Sequence, residues 1–289
     1  MRCNSLIFLV LINLVFIGCQ KETSFETELD PPVTTGDALI ATTMKDAASE
    51  LSYTYEYNAS GLPSRNLFVA TAPGFTADGI FQVKRDAAGK INESTIVLAS
   101  NLSPGSDTMF FQYKRNAAGK VSYMLMRFGD TTNAAGYDSI VYTYNAAGKM
   151  AGYITYLINY GSGLVEPIQQ FELTWTGNNV VKTVEYELSG SLSTRKLIET
   201  ITFFYDAKPA ARVLSEDDFL AGLNPVNSLV PCENNTTKYS RENTEDPDTN
   251  VITEYKYVYG ANGKPVSAEV TTIRPGLGDS KATLNFTYR

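Results

Sequence analysis

Two groups of acidic side chains are the residues best suited to chemistry. Asp217 and Asp218 are adjacent, and Glu245, Asp246 and Asp248 share one short polar segment. Two carboxylates about 5 to 10 Å apart in a cleft form the catalytic machinery of most glycoside hydrolases. All five acids lie in segments with the composition of turns, where Asp is common because it hydrogen-bonds the backbone ahead. We therefore predict solvated turn acids and no catalytic residue, with a hydrolase that uses these loop carboxylates as the alternative.

Metal, nucleotide and thiol chemistry find little support in the sequence. The acids match neither an EF-hand nor a Gly-Asp-rich nonapeptide repeat, and no Gly-rich phosphate loop opens a helix. The 289 residues include no histidine, the most frequent general base and metal ligand near neutral pH. Without such a base, Cys232 is expected to be a small buried hydrophobic residue. We predict no metal site and no cofactor.

Aromatic residues are stronger candidates for binding. The chain has 18 Tyr, 14 Phe and one Trp. Sugar rings stack on aromatic faces, and tyrosine hydroxyls add polar contacts. We name Trp175, Tyr144 and Tyr257 as candidate binding residues for a glycan or another small ligand. The competing interpretation is that such rings fill a barrel too wide for Leu and Val alone.

The N-terminal 37 residues indicate export and lipid anchoring. Residues 1–18 have the charged start and apolar run of a signal peptide. The apolar run, residues 6–17, is too short for the roughly 30 Å core of a bilayer at about 1.5 Å per residue. Gly18-Cys19 resembles a bacterial lipobox, so we predict lipidation of Cys19 and a membrane partner through that lipid. Residues 19–37 are polar and acidic and are predicted to be a flexible tether.

The overall charge of the chain further limits the classes of partner that we expect it to bind. Asp and Glu number 31 against 24 Lys and Arg, and the isoelectric point is near 4.8. An acidic chain lacks the broad positive surface that binds nucleic acid. We expect a glycan or protein ligand and no nucleic acid.

One turn sequence recurs along the chain. Asn116 is followed by Ala-Ala-Gly119-Lys, and Asn145 is followed by Ala-Ala-Gly148-Lys. The Asn side chain hydrogen-bonds the backbone ahead, and the glycine supplies the left-handed conformation that closes a hairpin. The flanking segments alternate aromatic and polar residues, which predicts β-hairpins with the aromatic side chains on one shared face.

The turns are evenly spaced. Glycines recur at intervals of 28, 30 and 29 residues, at Gly61, Gly89, Gly119 and Gly148. Continuing the period predicts further turns at Gly177, Asp206, Asn234 and Gly263. Such a period marks a supersecondary unit whose neighbours complete each other's core. We therefore predict a single domain over residues 38–289.

Two segments depart from the repeat. Ser215-Glu-Asp-Asp is typical of a capped helical turn, and residues 215–223 predict a short helical insertion that packs as a plug or lid. Residues 37–50 fit either a short helix or a first strand.

The repeated Tyr-x-Tyr-Asn-x-x-Gly-Lys unit resembles the YD repeats of secreted shell-forming proteins of the Rhs and teneurin type. The segments that begin at Asp206, Asn234 and Tyr255 resemble a family of Bacteroidota lipoproteins of unknown function with a porin-like fold. The resemblance covers residues 52–289 and implies a long antiparallel sheet rolled toward a barrel, without implying a catalytic residue. Cys19-Gln-Lys-Glu resembles the signal that sends lipoproteins of such bacteria to the outer face of the outer membrane.

These observations predict an all-β protein with one helical insertion near 215–223. We expect a long antiparallel meander of about 14 to 16 strands rolled into a barrel or half-barrel. A transmembrane barrel is a rival, because it shows the same alternation, but polar residues such as Glu56 and Lys84 favour water outside. The predicted role is non-catalytic binding or scaffolding by a lipid-anchored protein of the outer membrane or cell surface, with a periplasm-facing location as the alternative.

Overall fold

The computed structural model describes residues 38–101, 103–128, 137–159, 164–224, 227–276 and 278–289. The predicted signal peptide, Cys19 and the tether lie outside these ranges. The described residues form one closed antiparallel barrel of sixteen strands, which confirms the all-β meander and decides for a barrel over a half-barrel. The strands are β1 (Leu39–Lys45), β2 (Glu50–Tyr57), β3 (Pro63–Ala72), β4 (Phe75–Arg85), β5 (Ile91–Ser100), β6 (Ser103–Arg115), β7 (Val121–Phe128), β8 (Tyr137–Tyr144), β9 (Met150–Asn159), β10 (Leu164–Thr176), β11 (Asn179–Leu188), β12 (Arg195–Leu214), β13 (Cys232–Asn243), β14 (Val251–Tyr259), β15 (Pro265–Arg274) and β16 (Gly278–Tyr288).

The barrel closes between its first and last strands. Each strand pairs with its sequence neighbours, and β1 also pairs with β16. In that register Thr42 lies opposite Phe286, and Met44 lies opposite Leu284. Residues 39–45 therefore form a strand, where the sequence also allowed a helix. Because every strand has two partners, the described barrel exposes no unpaired sheet edge.

Aromatic side chains occupy the inner face of the barrel. Tyr53 and Tyr55 of β2 stack with ring centroids 6.3 Å apart, and Tyr255 and Tyr257 of β14 stack at 5.9 Å. Two clusters of buried residues fill the interior. The first cluster includes Phe111, Tyr113, Tyr142 and Phe203, and the second includes Leu39, Tyr55, Leu284 and Phe286. The period of two along each strand thus places the aromatic face inside.

The short turns connect each even-numbered strand to the next through much of the barrel. In the β6–β7 turn the Asn116 Oδ1 atom accepts hydrogen bonds from the backbone of Ala118 and Lys120, each at 3.0 Å. Gly119 follows with a φ of +74°, a conformation that an L-residue adopts only at a cost. The same positive φ occurs at Gly61, Gly89, Gly148 and Gly263. Consecutive turns of this kind lie at one end of the barrel, here called the short-turn end.

The repeat breaks where two further turns were predicted. Asp206 and Asn234 lie within β12 and β13, so the prediction of turns at these positions was wrong. Between Tyr205 and Leu214 the register of β12 against β13 shifts repeatedly. Along this irregular stretch the chain turns into the interior of the barrel, where Ala211 packs in the second cluster. A sixteen-strand barrel is wider than its own side chains can fill, which gives such an insertion a place.

The inserted segment, residues 209–224 and 227–231, is here called the plug. Its helix α1 (Glu216–Leu220) begins at Ser215, whose Oγ atom accepts a hydrogen bond from the Asp218 backbone at 3.1 Å. This confirms the predicted helical insertion. Leu223 and Val230 of the plug are buried in the first cluster, and each contributes about 1.5 to 3 kcal/mol by leaving water. Nothing helical in the described ranges has the length and apolarity of a membrane span.

Candidate ligand-binding cleft

A cleft of about 320 Å³ opens at the short-turn end, between the plug and the turns of β8–β9 and β10–β11. The turns contribute Lys149 and Asn178, and the end of β10 contributes Trp175. The plug and the start of β13 contribute Val213, Leu214, Ser215, Glu216, Pro231, Cys232 and Glu233. The lining combines one aromatic ring, several apolar side chains and a few polar groups, which is the usual composition of a small-ligand site.

Trp175 is held rigidly at the edge of this cleft. Its Nε1 atom donates a hydrogen bond to the Met150 carbonyl at 2.6 Å. The Lys149 ammonium lies 5.2 Å from the ring centroid, within cation–π distance. Lys149 also donates to the Asn178 Oδ1 atom at 2.9 Å. The ring, the ammonium and the amide thus form one preorganised group.

The other two candidate rings lie elsewhere. The Tyr144 hydroxyl donates to the Val121 carbonyl at 2.7 Å, and Lys120 lies 5.8 Å from its ring. Tyr257 packs beside the second cluster, where its hydroxyl donates to the Thr236 carbonyl at 2.9 Å. Burial raises the pKa of both hydroxyls. Of the three named residues, only Trp175 lines the cleft.

These contacts follow a recurring pattern of side-chain to backbone hydrogen bonds that the sequence analysis did not predict. The last inward residue before a short turn, or at the chain end, donates to a carbonyl near the start of the preceding strand. The aromatic examples are Tyr57 to Leu39, Tyr144 to Val121, Trp175 to Met150 and Tyr288 to Pro265. Tyr205 makes the same contact with Val180 from within β12, directly before the irregular stretch of that strand. Arg85 and Arg115 take the same position and donate to Pro63 and Ile91. The signal in the sequence is an aromatic or arginine directly before the turn, and its main role is to pin adjacent strands.

The first group of acids holds the plug in place, so the prediction that they are solvated turn acids was wrong. Asp218 pairs with Arg85 at 3.0 Å, and Asp217 pairs with Arg115 at 3.0 Å. Glu216 pairs with Lys120 at 3.0 Å. Arg85 and Arg115 occupy the positions that other repeats give to an aromatic ring. The two arginines therefore bind the acidic side chains in the first turn of α1.

The second group of acids lies at the opposite end of the barrel. Glu245 pairs with Lys196, and both side chains are exposed. Asp246 directly precedes a 3₁₀ turn, Pro247–Thr249, and Asp248 lies within it; both acids are exposed. Neither acid belongs to a carboxylate pair in a cleft that the structure describes.

A pair of interior carboxylates escaped the sequence analysis. Glu185 and Glu199 face each other across β11 and β12 and are 9% and 5% exposed. Arg241 donates to Glu199, and Gln169 donates to Glu185. Burial, aided by the charge of Glu199, raises the pKa of Glu185 to about 7. A bulge between Glu185 and Tyr186 obscures the alternation that would have marked the pair as inward-facing.

Cys232 is buried, as a small hydrophobic residue would be. Its thiol donates to the Ser228 hydroxyl at 3.5 Å, and burial raises its pKa. Over the described ranges, no three His, Cys, Asp or Glu side chains are placed to hold a metal ion.

No protein-family model matches the sequence, and no curated protein matches it. The fold is similar to the crystal structure of a porin-like protein from Bacteroides uniformis, with a TM-score of 0.51 and 12% identity over 89% of this chain and 100% of that one. A porin-like protein from Bacteroides vulgatus matches with a TM-score of 0.39 and 11% identity, over 87% of this chain and 98% of that one. At this identity the first similarity concerns the fold alone, and it supports the porin-like barrel that the resemblance implied.

Proposed function

We propose that the protein is a lipid-anchored protein of the outer membrane or cell surface that binds a small neutral ligand, such as a glycan, without catalysing a reaction. The cleft beside Trp175 carries this proposal, because it combines a fixed aromatic ring with the polar groups of Lys149, Asn178 and Glu233. Its volume of about 320 Å³ is at the lower end for ligand sites and suits one or two sugar rings.

The geometry favours binding over the two alternatives. A hydrolase would need two carboxylates free to act in a cleft, whereas Asp217 and Asp218 are committed to arginines. A scaffold that joins partners through a sheet edge is disfavoured because each described strand is paired on both sides. Docking of a protein partner on the cleft is the remaining competitor.

The binding site is tested by blocking the cleft. Val213 lines the cleft and is 53% exposed, and Val258 on the outer face of β14 is exposed to the same extent. We expect Val213→Glu to abolish the glycan-array signal of the tagless mature protein. The longer, charged side chain would occupy the cleft and replace part of its apolar surface. Val258→Glu is the matched control and should bind like the wild type. Silence of the wild type across glycans would overturn the glycan proposal and favour a protein partner.

The anchor is tested separately at Cys19. We expect Cys19→Ala to shift the protein from the membrane fraction to the soluble fraction, because the chain would lose its lipid. Protease shaving of intact cells reports which side the barrel faces: degradation supports the cell surface, and protection supports the periplasm. A Cys232→Ala variant, which leaves the predicted lipid site intact, should remain in the membrane fraction.

A further inference from the structure

Arg212 reaches across the inside of the barrel. Around the barrel wall β12 and β2 are separated by β13 to β16 and β1. The guanidinium carbon of Arg212 nevertheless lies 5.4 Å from the centroid of the Tyr55 ring on β2. The preceding residue, Ala211, packs in the same cluster as Tyr55. Arg212 therefore projects into the second core cluster, while its neighbour Val213 lines the external cleft.

The guanidinium of Arg212 has no hydrogen-bond partner within the described part of the chain. Its Nε, Nη1 and Nη2 atoms are all buried and unpaired. Arginine does not lose its proton in proteins, so this is a buried charge. The contact with Tyr55 is worth about 0.5 to 2 kcal/mol, whereas the desolvation of an ion costs several kcal/mol. The ring alone does not offset the burial.

Unpaired amides adjoin the same cluster. Asn66 is fully buried, and neither its Nδ2 nor its Oδ1 atom has a partner among the described residues. Asn66 lies directly opposite Tyr55 in the β2–β3 register, so both side chains point inward side by side. Asn227 is also buried; its Nδ2 atom donates to the Tyr257 hydroxyl, but its Oδ1 atom is unpaired. The orphaned guanidinium and amide thus flank one tyrosine.

Three other arginines of the described interior show what is missing. Arg85, Arg115 and Arg241 each donate to a carboxylate supplied by the chain itself, on Asp218, Asp217 and Glu199. Arg212 departs from that arrangement. A buried guanidinium with its donors oriented and unused is the protein half of a charge-assisted pair.

We propose that Arg212 and Asn66 form an internal binding site for a small organic carboxylate. The planar guanidinium binds both oxygens of the carboxylate, and the Asn66 amide donates to an oxygen or accepts from a neighbouring hydroxyl. A single negative charge balances Arg212, whereas a phosphate dianion would leave excess charge in a cluster of Leu39, Met44 and Phe286. This site is separate from the cleft of Trp175 and does not depend on it.

The site is tested by thermal unfolding of the purified full-length protein. Sodium acetate, butyrate and benzoate are titrated against sodium chloride and sodium phosphate at equal ionic strength. We expect a saturable rise in Tm with carboxylates that chloride does not give. Arg212→Met keeps the length of the side chain without its charge, and it should weaken the apparent affinity at least about tenfold.

Two further variants keep the result interpretable. Asn66→Leu should also weaken the carboxylate-dependent rise in Tm, and it replaces Arg212→Met as the test if that variant does not fold. Arg195→Met removes an exposed arginine that pairs with Glu172 and should respond like the wild type. An equal Tm rise with phosphate would overturn the preference for carboxylates. The proposal fails if the wild type shows no carboxylate-specific rise, and if mass spectrometry of the denatured protein finds no equimolar organic acid that co-purified with it.

Discussion

Two charged regions inside the barrel are built in opposite ways. At the plug, three acids of α1 meet three cations, Arg85, Arg115 and Lys120. In the region of Glu185 and Glu199, two acids share one arginine, Arg241, and the amide of Gln169. The first region is balanced in charge and joins separate parts of the chain, and the second is acidic and joins adjacent strands of the barrel.

The difference shows that acidic side chains inside one barrel can have two roles. They form ion pairs that hold the plug, or they form a carboxylate pair that retains a proton. Balanced pairs replace the aromatic rings of the repeat and hold an inserted helix, so their loss should release the plug. Unbalanced carboxylates tend to keep a proton, since ionising both would place like charges together at low dielectric. The plug should therefore respond to mutation of its cations, and the Glu185 region should respond to pH.

The largest effect is expected for Arg85→Met. This change leaves Asp218 as an uncompensated charge in a pair whose side chains are only 10% and 12% exposed, and it should lower the free energy of unfolding by about 3 to 5 kcal/mol. Urea unfolding measures the loss. Adding Asp218→Asn to this variant should recover part of it.

The adjacent residue provides the control for Arg85. Lys84 faces outward and pairs with Glu93, and its side chain is 74% exposed. Lys84→Met should change the free energy of unfolding by no more than about 1 kcal/mol. Equal losses for the two variants would contradict the view that the plug depends on buried pairs.

A smaller effect, dependent on pH, is expected for Glu185→Gln. Because the folded pKa of about 7 exceeds the ordinary value of 4.5, the folded state holds the proton more tightly than the unfolded chain. Stability from this group is complete below pH 4.5 and declines as pH rises to about 7. The variant should match the wild type near pH 4.5 and exceed its stability at pH 8, by on the order of 3 kcal/mol.

Urea unfolding across this pH range checks the expectation. Some slope should remain, because burial also raises the pKa of Asp138. Glu187→Gln alters an exposed acid on the same strand and should keep the wild-type profile. Identical profiles for wild type and Glu185→Gln would refute the assignment of the proton to this region.

The smallest effect is expected for Lys120→Met. The lysine side chain is 41% exposed and its partner Glu216 is 15% exposed, so water screens part of the interaction. We expect a loss of about 1 kcal/mol or less, reduced further by 0.5 M salt because exposed charges are screened. A loss as large as that for Arg85→Met would show that the plug depends on charge balance more than on burial.

Much of the architecture could be predicted from local signals. The Asn and Gly pairs of the turns encode hairpins, and the alternation of tyrosines encodes an inner face, because both depend on residues close in sequence. The Ser215 cap of α1 is equally local. The predicted turns at Asp206 and Asn234 failed because the interior drew that stretch inward, and no local pattern reports how much space a barrel encloses.

The candidate sites were less accessible from sequence. Trp175 was named, but its companions in the cleft come from the plug and from β13, far away in the chain. The prediction that Asp217 and Asp218 are solvated turn acids was wrong, because their arginine partners lie more than 100 positions earlier and bury them against the barrel. No sequence pattern marked Glu185, Arg212 or Asn66 as site residues. Their burial and their hydrogen-bond partners depend on the side chains that surround them once the barrel closes.

The sequence by itself determined that ribbons reverse at regular intervals and that their rings lie on one side, since turn chemistry and a period of two are properties of neighbouring residues. Only the tertiary structure decided that β1 meets β16, that the plug crosses the interior, and which charges find partners there. Those outcomes depend on contacts between distant segments, whose energies follow from burial and distance and not from order along the chain.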